Sequence, residues 1–174
     1  MLFNERDLED YICNNQEQFI ATLKKEIYGE DCDIEFIGRQ VKIGEDNIAD
    51  LVYYYENENG EKQITERYYI IVELKFRKLK PLDLAQISRY MSCLSEKLET
   101  EEKYYKYENT VTGVFVSLGE DELMQEILIN NSIQGDIYFL TINTNIDFRT
   151  VRWGRVDEYI DNLKLDERIE KLYG

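Results

Sequence analysis

The stretch Tyr69–Phe76, YIIVELKF, constrains this chain more than any other. Its near-continuous apolar run predicts a strand buried on both faces, at the centre of a sheet. Yet it carries Glu73 and Lys75. Strand side chains alternate, so these two opposite charges share one face and Leu74 points to the other. Charge on an interior strand is costly unless a partner or a ligand uses it.

The segments around this strand define the frame. NERDLEDYICNNQEQFIATL (4–23) reads as one helix capped by Asn4, with Leu8, Ile12, Phe19 and Leu23 on its apolar side. DIEFIGRQVKIG (33–44) and NIADLVYYYE (47–56) alternate as strands, and a turn at 57–60 leads into ERYYIIVELKF (66–76). Pro81 opens a helix, PLDLAQISRYMSCLSEKLE, whose expected inward side is Leu82, Ala85, Ile87, Tyr90, Met91 and Leu94. A strand (TVTGVFVSL, 110–118), a helix (119–131), a strand (136–143), a short strand (148–153) and an acidic helix (156–173) follow. Gly113 marks a close backbone approach within its strand. The tyrosine runs 53–55 and 68–69 fit strand propensity better than base stacking. This order predicts an α/β fold, a mixed β-sheet flanked by α-helices, as one domain over residues 1–174.

Composition narrows the chemistry. The chain has no histidine, which excludes Ser-His-Asp and Cys-His catalysis and HExxH zinc sites. Catalysis must then use carboxylates, lysine, tyrosine or a cation held by oxygen. A net charge of −15 opposes tight non-specific binding to nucleic acid. Three scattered cysteines, the lack of a long apolar run and the acidic start MLFNERDLED lead to the expectation of a cytoplasmic protein without a membrane span.

Asp50 repeats the peculiarity of Glu73, standing in NIADLVYY between Ile48 and Val52. If the two strands form a hairpin, Asp50 comes near Glu73, and the two carboxylates repel unless a divalent cation lies between them. Asp50, Glu73 and the main-chain carbonyl of Leu74 would then form the metal site for Mg²⁺ or Mn²⁺. Lys75 would orient or deprotonate an attacking water, an arrangement suited to phosphodiester hydrolysis. The alternative is a self-satisfied salt bridge between Lys75 and Glu73 or Asp50.

An Asp followed on the next strand by E-x-K resembles the signature of the PD-(D/E)XK nuclease superfamily. VELK, with AQISRYM after it, is similar to the catalytic domain of EndoMS/NucS-type mismatch endonucleases, as are LEDYI, GRQV and IADLVYY. The resemblance covers residues 5–118. It implies a restriction-endonuclease-like fold, Mg²⁺ or Mn²⁺ dependence and DNA cleavage, with Asp50 and Glu73 as metal ligands and Lys75 as water-positioning base or charge stabiliser. It also implies Gln86, from the Q-x-x-R-Y pattern with Arg89 and Tyr90, as an active-site helper, and Glu9 as an outer carboxylate. The helix of that type begins within ten residues of the start, so mismatch specificity is not expected to transfer.

Arg77, Lys78, Lys80 and Arg89, with Tyr90, form an expected basic rim for a nucleic-acid backbone. The sequence therefore predicts a metal-dependent DNA endonuclease in repair, defence or a mobile element, with a homodimer or a protein partner supplying DNA affinity. The alternative is a non-catalytic acidic module on the same fold, binding a basic partner or mimicking nucleic acid.

Overall fold

A computed structural model describes residues 4–59, 64–101, 107–130, 137–142 and 148–154. The expected carboxy-terminal helix (156–173) lies outside them, as does Gly60 of the expected turn, whose residues 57–59 instead continue strand pairing with residues 64–66. Six strands form one sheet in sequential order: β1 (Glu35–Lys42), β2 (Ile48–Asn59), β3 (Ile64–Lys75), β4 (Tyr107–Ser117), β5 (Ile137–Ile142) and β6 (Phe148–Gly154). β3–β4 and β4–β5 are parallel and the other pairs antiparallel. The sheet is mixed, and β3 lies inside it. Parallel neighbours need crossovers, and α3 (Pro81–Glu101) and α4 (Glu122–Asn130) supply them.

Helices cover both faces. Leu8 and Ile12 of α1 (Glu5–Asn14) and Phe19 and Leu23 of α2 (Gln16–Leu23) pack on Leu51, Tyr53, Ile70, Val72, Leu74, Val114 and Val116. On the other face Ile87, Tyr90, Met91, Leu94 and Leu98 of α3 pack on Val52, Ile71 and Phe115. β3 thus shows the strict two-residue alternation its sequence predicts, with Ile70, Val72 and Leu74 opposite Ile71. Gly113 is where α3 comes closest: a Cβ there would lie 2.8 Å from Ile87 Cδ1 and 2.9 Å from Met91 Sδ. The tyrosine runs pair across β2 and β3, Tyr54 with Tyr69 and Tyr55 with Tyr68, the latter rings stacked at 4.4 Å.

Two expectations are corrected. The first helix is interrupted at Asn15, whose side chain donates to the Tyr11 carbonyl at 2.8 Å. A π-helical turn, Lys24–Tyr28, follows α2. On α3, Leu82 is 72% exposed and Ala85 is exposed as well. The buried positions 87, 91, 94 and 98 extrapolate back to Asp83, so a carboxylate holds the inward place in the first turn. No described helix is long and apolar enough to cross a membrane.

Candidate active site

Asn4 caps α1 by accepting the Asp7 N–H at 2.9 Å, and this fixes the helix turn that carries Glu9. β1 and β2 run antiparallel with Arg39 opposite Leu51 and Val41 opposite Ala49, a register that sets Gln40 against Asp50. The β2–β3 ladder ends at Leu51–Val72. One more step would pair Asp50 with Glu73, but the Asp50 side chain takes over: its Oδ2 accepts the Leu74 N–H at 2.8 Å. The strand phase slips at the same place, since Leu51 faces α1 while both Ala49 and Val52 join the α3 core. Asp50 therefore stands at a break in the sheet, where its carboxylate is no longer bound to one face.

Glu73 and Lys75 lie on the α3 face at the end of β3, with Glu73 only 1% exposed. Glu73 Oε2 accepts from Lys75 Nζ at 3.3 Å and from Gln86 Nε2 at 3.2 Å. Gln86 Nε2 also donates to the Tyr90 hydroxyl at 2.9 Å. The other oxygen, Glu73 Oε1, is buried and accepts no hydrogen bond. Burial, reinforced by the Asp50 charge and only partly offset by Lys75 and by a hydrogen bond from the Asp50 main chain, pushes the Glu73 carboxyl up to about 7. Burial alone would pull Lys75 down, but the carboxylates of Glu73, Glu5 and Asp50 outweigh it and hold the ammonium above its ordinary range. Lys75 thus carries its proton at neutral pH and is a donor of positive charge.

On the open side of Asp50 lies a cleft of about 330 Å³, walled by Glu5, Arg6, Glu9, Arg39, Gln40, Asp50 and Leu74. Glu9, 8% exposed, accepts from Gln40 Nε2 through Oε2 at 2.9 Å. Its Oε1 accepts no hydrogen bond, although Arg39 Nε lies 3.3 Å away. Arg39 also donates to Asp10 Oδ1 at 2.9 Å. The site is therefore two halves that meet at Asp50 and Leu74: an open one with Glu9 and Gln40, and a closed one with Glu73, Lys75, Gln86 and Tyr90.

The structure brings Asp50, Glu73, Lys75, Gln86 and Glu9 to one end of the sheet. The expected basic rim is distributed differently. Arg77 is engaged by Asp83 through two bonds of 2.7 Å, and Asp83 Oδ2 also accepts the Lys80 N–H at 2.8 Å. Tyr90 is 7% exposed in the α3 core, with Arg89 over its ring at 5.8 Å. Lys78, Lys80 and Arg89 remain exposed. Sequence reasoning gave no role to Arg39 or Gln40, although both lie within GRQV; the signal available was a polar pair on β1 opposite IAD.

The donor set fits a hard divalent cation. All candidate ligands are oxygen, and Glu73 and Glu9 each hold a buried carboxylate oxygen without a hydrogen-bond donor. Among the described residues no three acidic or thiol groups close into a ready cage. Mg²⁺ and Mn²⁺ bound by one or two carboxylates, a carbonyl and several waters need none.

No protein-family model matches the sequence, and no curated protein matches it. Among solved structures the chain is similar to a repair endonuclease from Pyrococcus abyssi, at 18% identity over 71% of this chain and 45% of that one, with a TM-score of 0.38. It is also similar to the MspJI restriction endonuclease in complex with a 27-mer oligonucleotide, at 10% identity over 78% of this chain and 28% of that one, again with a TM-score of 0.38. The chain spans less than half the length of either. The α/β architecture is that of the mixed sheet flanked by helices described above.

Proposed function

We infer that this chain is a metal-dependent phosphodiesterase that cleaves DNA, with Asp50, Glu73 and the Leu74 carbonyl as the cation's ligands. The observation that carries this is Glu73: a carboxylate 1% exposed, its charged form disfavoured by burial and by the neighbouring Asp50 charge, beside that second carboxylate where the β2–β3 ladder ends. A salt bridge with Lys75 alone leaves the Asp50 carboxylate repelling Glu73. When bound, the cation polarises the phosphate and lowers the pKa of a bound water.

The chain's own residues supply the rest. Lys75, protonated and held by Glu73, offers positive charge to the phosphate oxygens as negative charge builds on them. Gln86 fixes the Glu73 carboxylate from α3 and is itself fixed by Tyr90. Glu9 adds a carboxylate from α1 on the cleft side. Lys78, Lys80 and Arg89 attract the backbone, and with a net charge of −15 their grip is weak, so a second copy or a partner protein supplies affinity.

The test is incubation of the purified protein with Mn²⁺ and labelled duplex, single-stranded, mismatched and branched DNA, and RNA. The expected result is cleavage of DNA that needs Mn²⁺ and falls at least about 100-fold in Lys75→Ala and Asp50→Asn. A folded protein that binds no Mn²⁺ and cuts nothing would reject this function.

A further inference from the structure

Gln40 is the one non-glycine residue among those described with a positive φ, +50°. Non-glycine residues rarely occupy this region, and asparagine, aspartate and histidine account for much of what is found there. Gln40 does so in the middle of β1, opposite Asp50. Its side chain reaches across the cleft wall, where a single nitrogen, Nε2, donates to Glu9 Oε2 at 2.9 Å and to Asp50 Oδ1 at 3.2 Å. Two carboxylates from different elements, α1 and β2, thus converge on one amide nitrogen. Glu9, 8% exposed, keeps its second oxygen in the same wall, where it is ion-paired with Arg39 Nε at 3.3 Å and accepts no hydrogen bond.

We propose that Gln40 is itself a ligand of the divalent cation, through a turnover of its carboxamide. In the metal-free protein the amide N–H₂ supplies the positive end of a dipole to Glu9 and Asp50. The terminal torsion of glutamine is broad and roughly two-fold, so rotation exchanges Nε2 and Oε1 at little cost and without change of shape. After that exchange Gln40 Oε1 takes the place of Nε2, 2.9 Å from Glu9 Oε2 and 3.2 Å from Asp50 Oδ1. Adjacent ligands of an octahedral ion at 2.1 Å are separated by about 3.0 Å, that distance multiplied by the square root of two. Gln40 Oε1 would then stand at ligand-to-ligand distance from two carboxylate oxygens, and an amide carbonyl is a hard oxygen donor of the kind such ions take. Glu73 and the Leu74 carbonyl would complete the set from the other side of Asp50, with water or the substrate in what remains.

This rests on the metal-dependent reading of the site, and the experiment separates the two. Mn²⁺ affinity is measured by electron paramagnetic resonance on the parent protein, Gln40→Gly and Gln40→Glu, with Asp50→Asn as the reference for loss of a ligand. Glycine accepts φ +50° without strain, so Gln40→Gly removes the side chain and keeps the backbone, which circular dichroism and a thermal melt verify. Mn²⁺ binding weakened roughly 10- to 100-fold in Gln40→Gly, and equal to or tighter than the parent in Gln40→Glu, supports the ligand role. If the parent binds Mn²⁺ and Gln40→Gly binds it as well or better, the amide is only a plug and the proposal is overturned. Loss of affinity in both variants overturns it too, because a supplied oxygen would then not be what matters. A parent that binds no Mn²⁺, with Asp50→Asn unchanged, removes the metal reading itself.

Discussion

In metal-free protein Glu73 opposes folding at neutral pH, and Glu73→Gln should reveal by how much. Its carboxyl titrates near 7 in the fold and near 4.5 when unfolded. The folded state therefore binds the proton more tightly, and stability falls as pH rises from about 4.5 to 7. That interval corresponds to roughly 3 kcal/mol, fully lost by pH 8. Replacing the carboxylate by a neutral amide recovers this amount. The attraction of Lys75 is already contained in that net shift. The expectation is a gain of about 3 kcal/mol at pH 8, or a rise in Tm of about 6–12 °C for a chain of this size. At pH 5 both proteins are neutral at this position and the difference shrinks toward zero.

The assay is thermal and urea unfolding of both proteins in EDTA between pH 5 and 8.5. Added Mn²⁺ should stabilise the parent at pH 8 and not Glu73→Gln, because the cation binds the ionised carboxylate. Glu73→Gln less stable than the parent at pH 8, or equally shifted at both pH values, would refute the reasoning. Glu73 would then be an ordinary partner of Lys75.

Two further substitutions test the frame that holds the site. Gly113→Ala should lower stability by about 1–3 kcal/mol in urea unfolding, since the new methyl meets Ile87 and Met91 inside van der Waals distance and those side chains must give way in a packed core; an unchanged midpoint would show that they change rotamer at no cost. Asp83→Asn should cost about 1–2 kcal/mol near pH 7, because it weakens a helix cap and a bidentate Arg77 bond together. Burial raises the Asp83 pKa, but Arg77 and the Lys80 N–H outweigh it and hold the carboxyl below its ordinary value. Its contribution is therefore present above about pH 4 and disappears as the pH falls through the folded value, so the parent and Asp83→Asn should converge in acid.

What the sequence announced and what it concealed follow from the range of the forces involved. The alternation of Ile70 to Lys75 and the cap at Asn4 are set within a few residues, and each appears as read. The interruption at Asn15 leaves no trace in the pattern, because Leu8, Ile12, Phe19 and Leu23 stay on one apolar stripe whether or not the helix is continuous. Leu82 follows a related rule: its apolar side chain near the helix start suggests an inward place, while the stripe extrapolated from Ile87 selects Asp83, 4% exposed. The pairing of Asp50 with Glu73 followed from a hairpin and two unexplained charges. The break in the β2–β3 ladder could not be foreseen, since it depends on Asp50 replacing a main-chain partner of Leu74. Gln40 lies deepest. Nothing in glutamine favours a left-handed backbone, so no propensity points to position 40, and its two acceptors are 31 and 10 residues away in sequence. A strained conformation without a local cause must be held by distant contacts. Here those contacts are the two carboxylates that border the cleft, which is why the least legible residue of β1 is the one that closes the site.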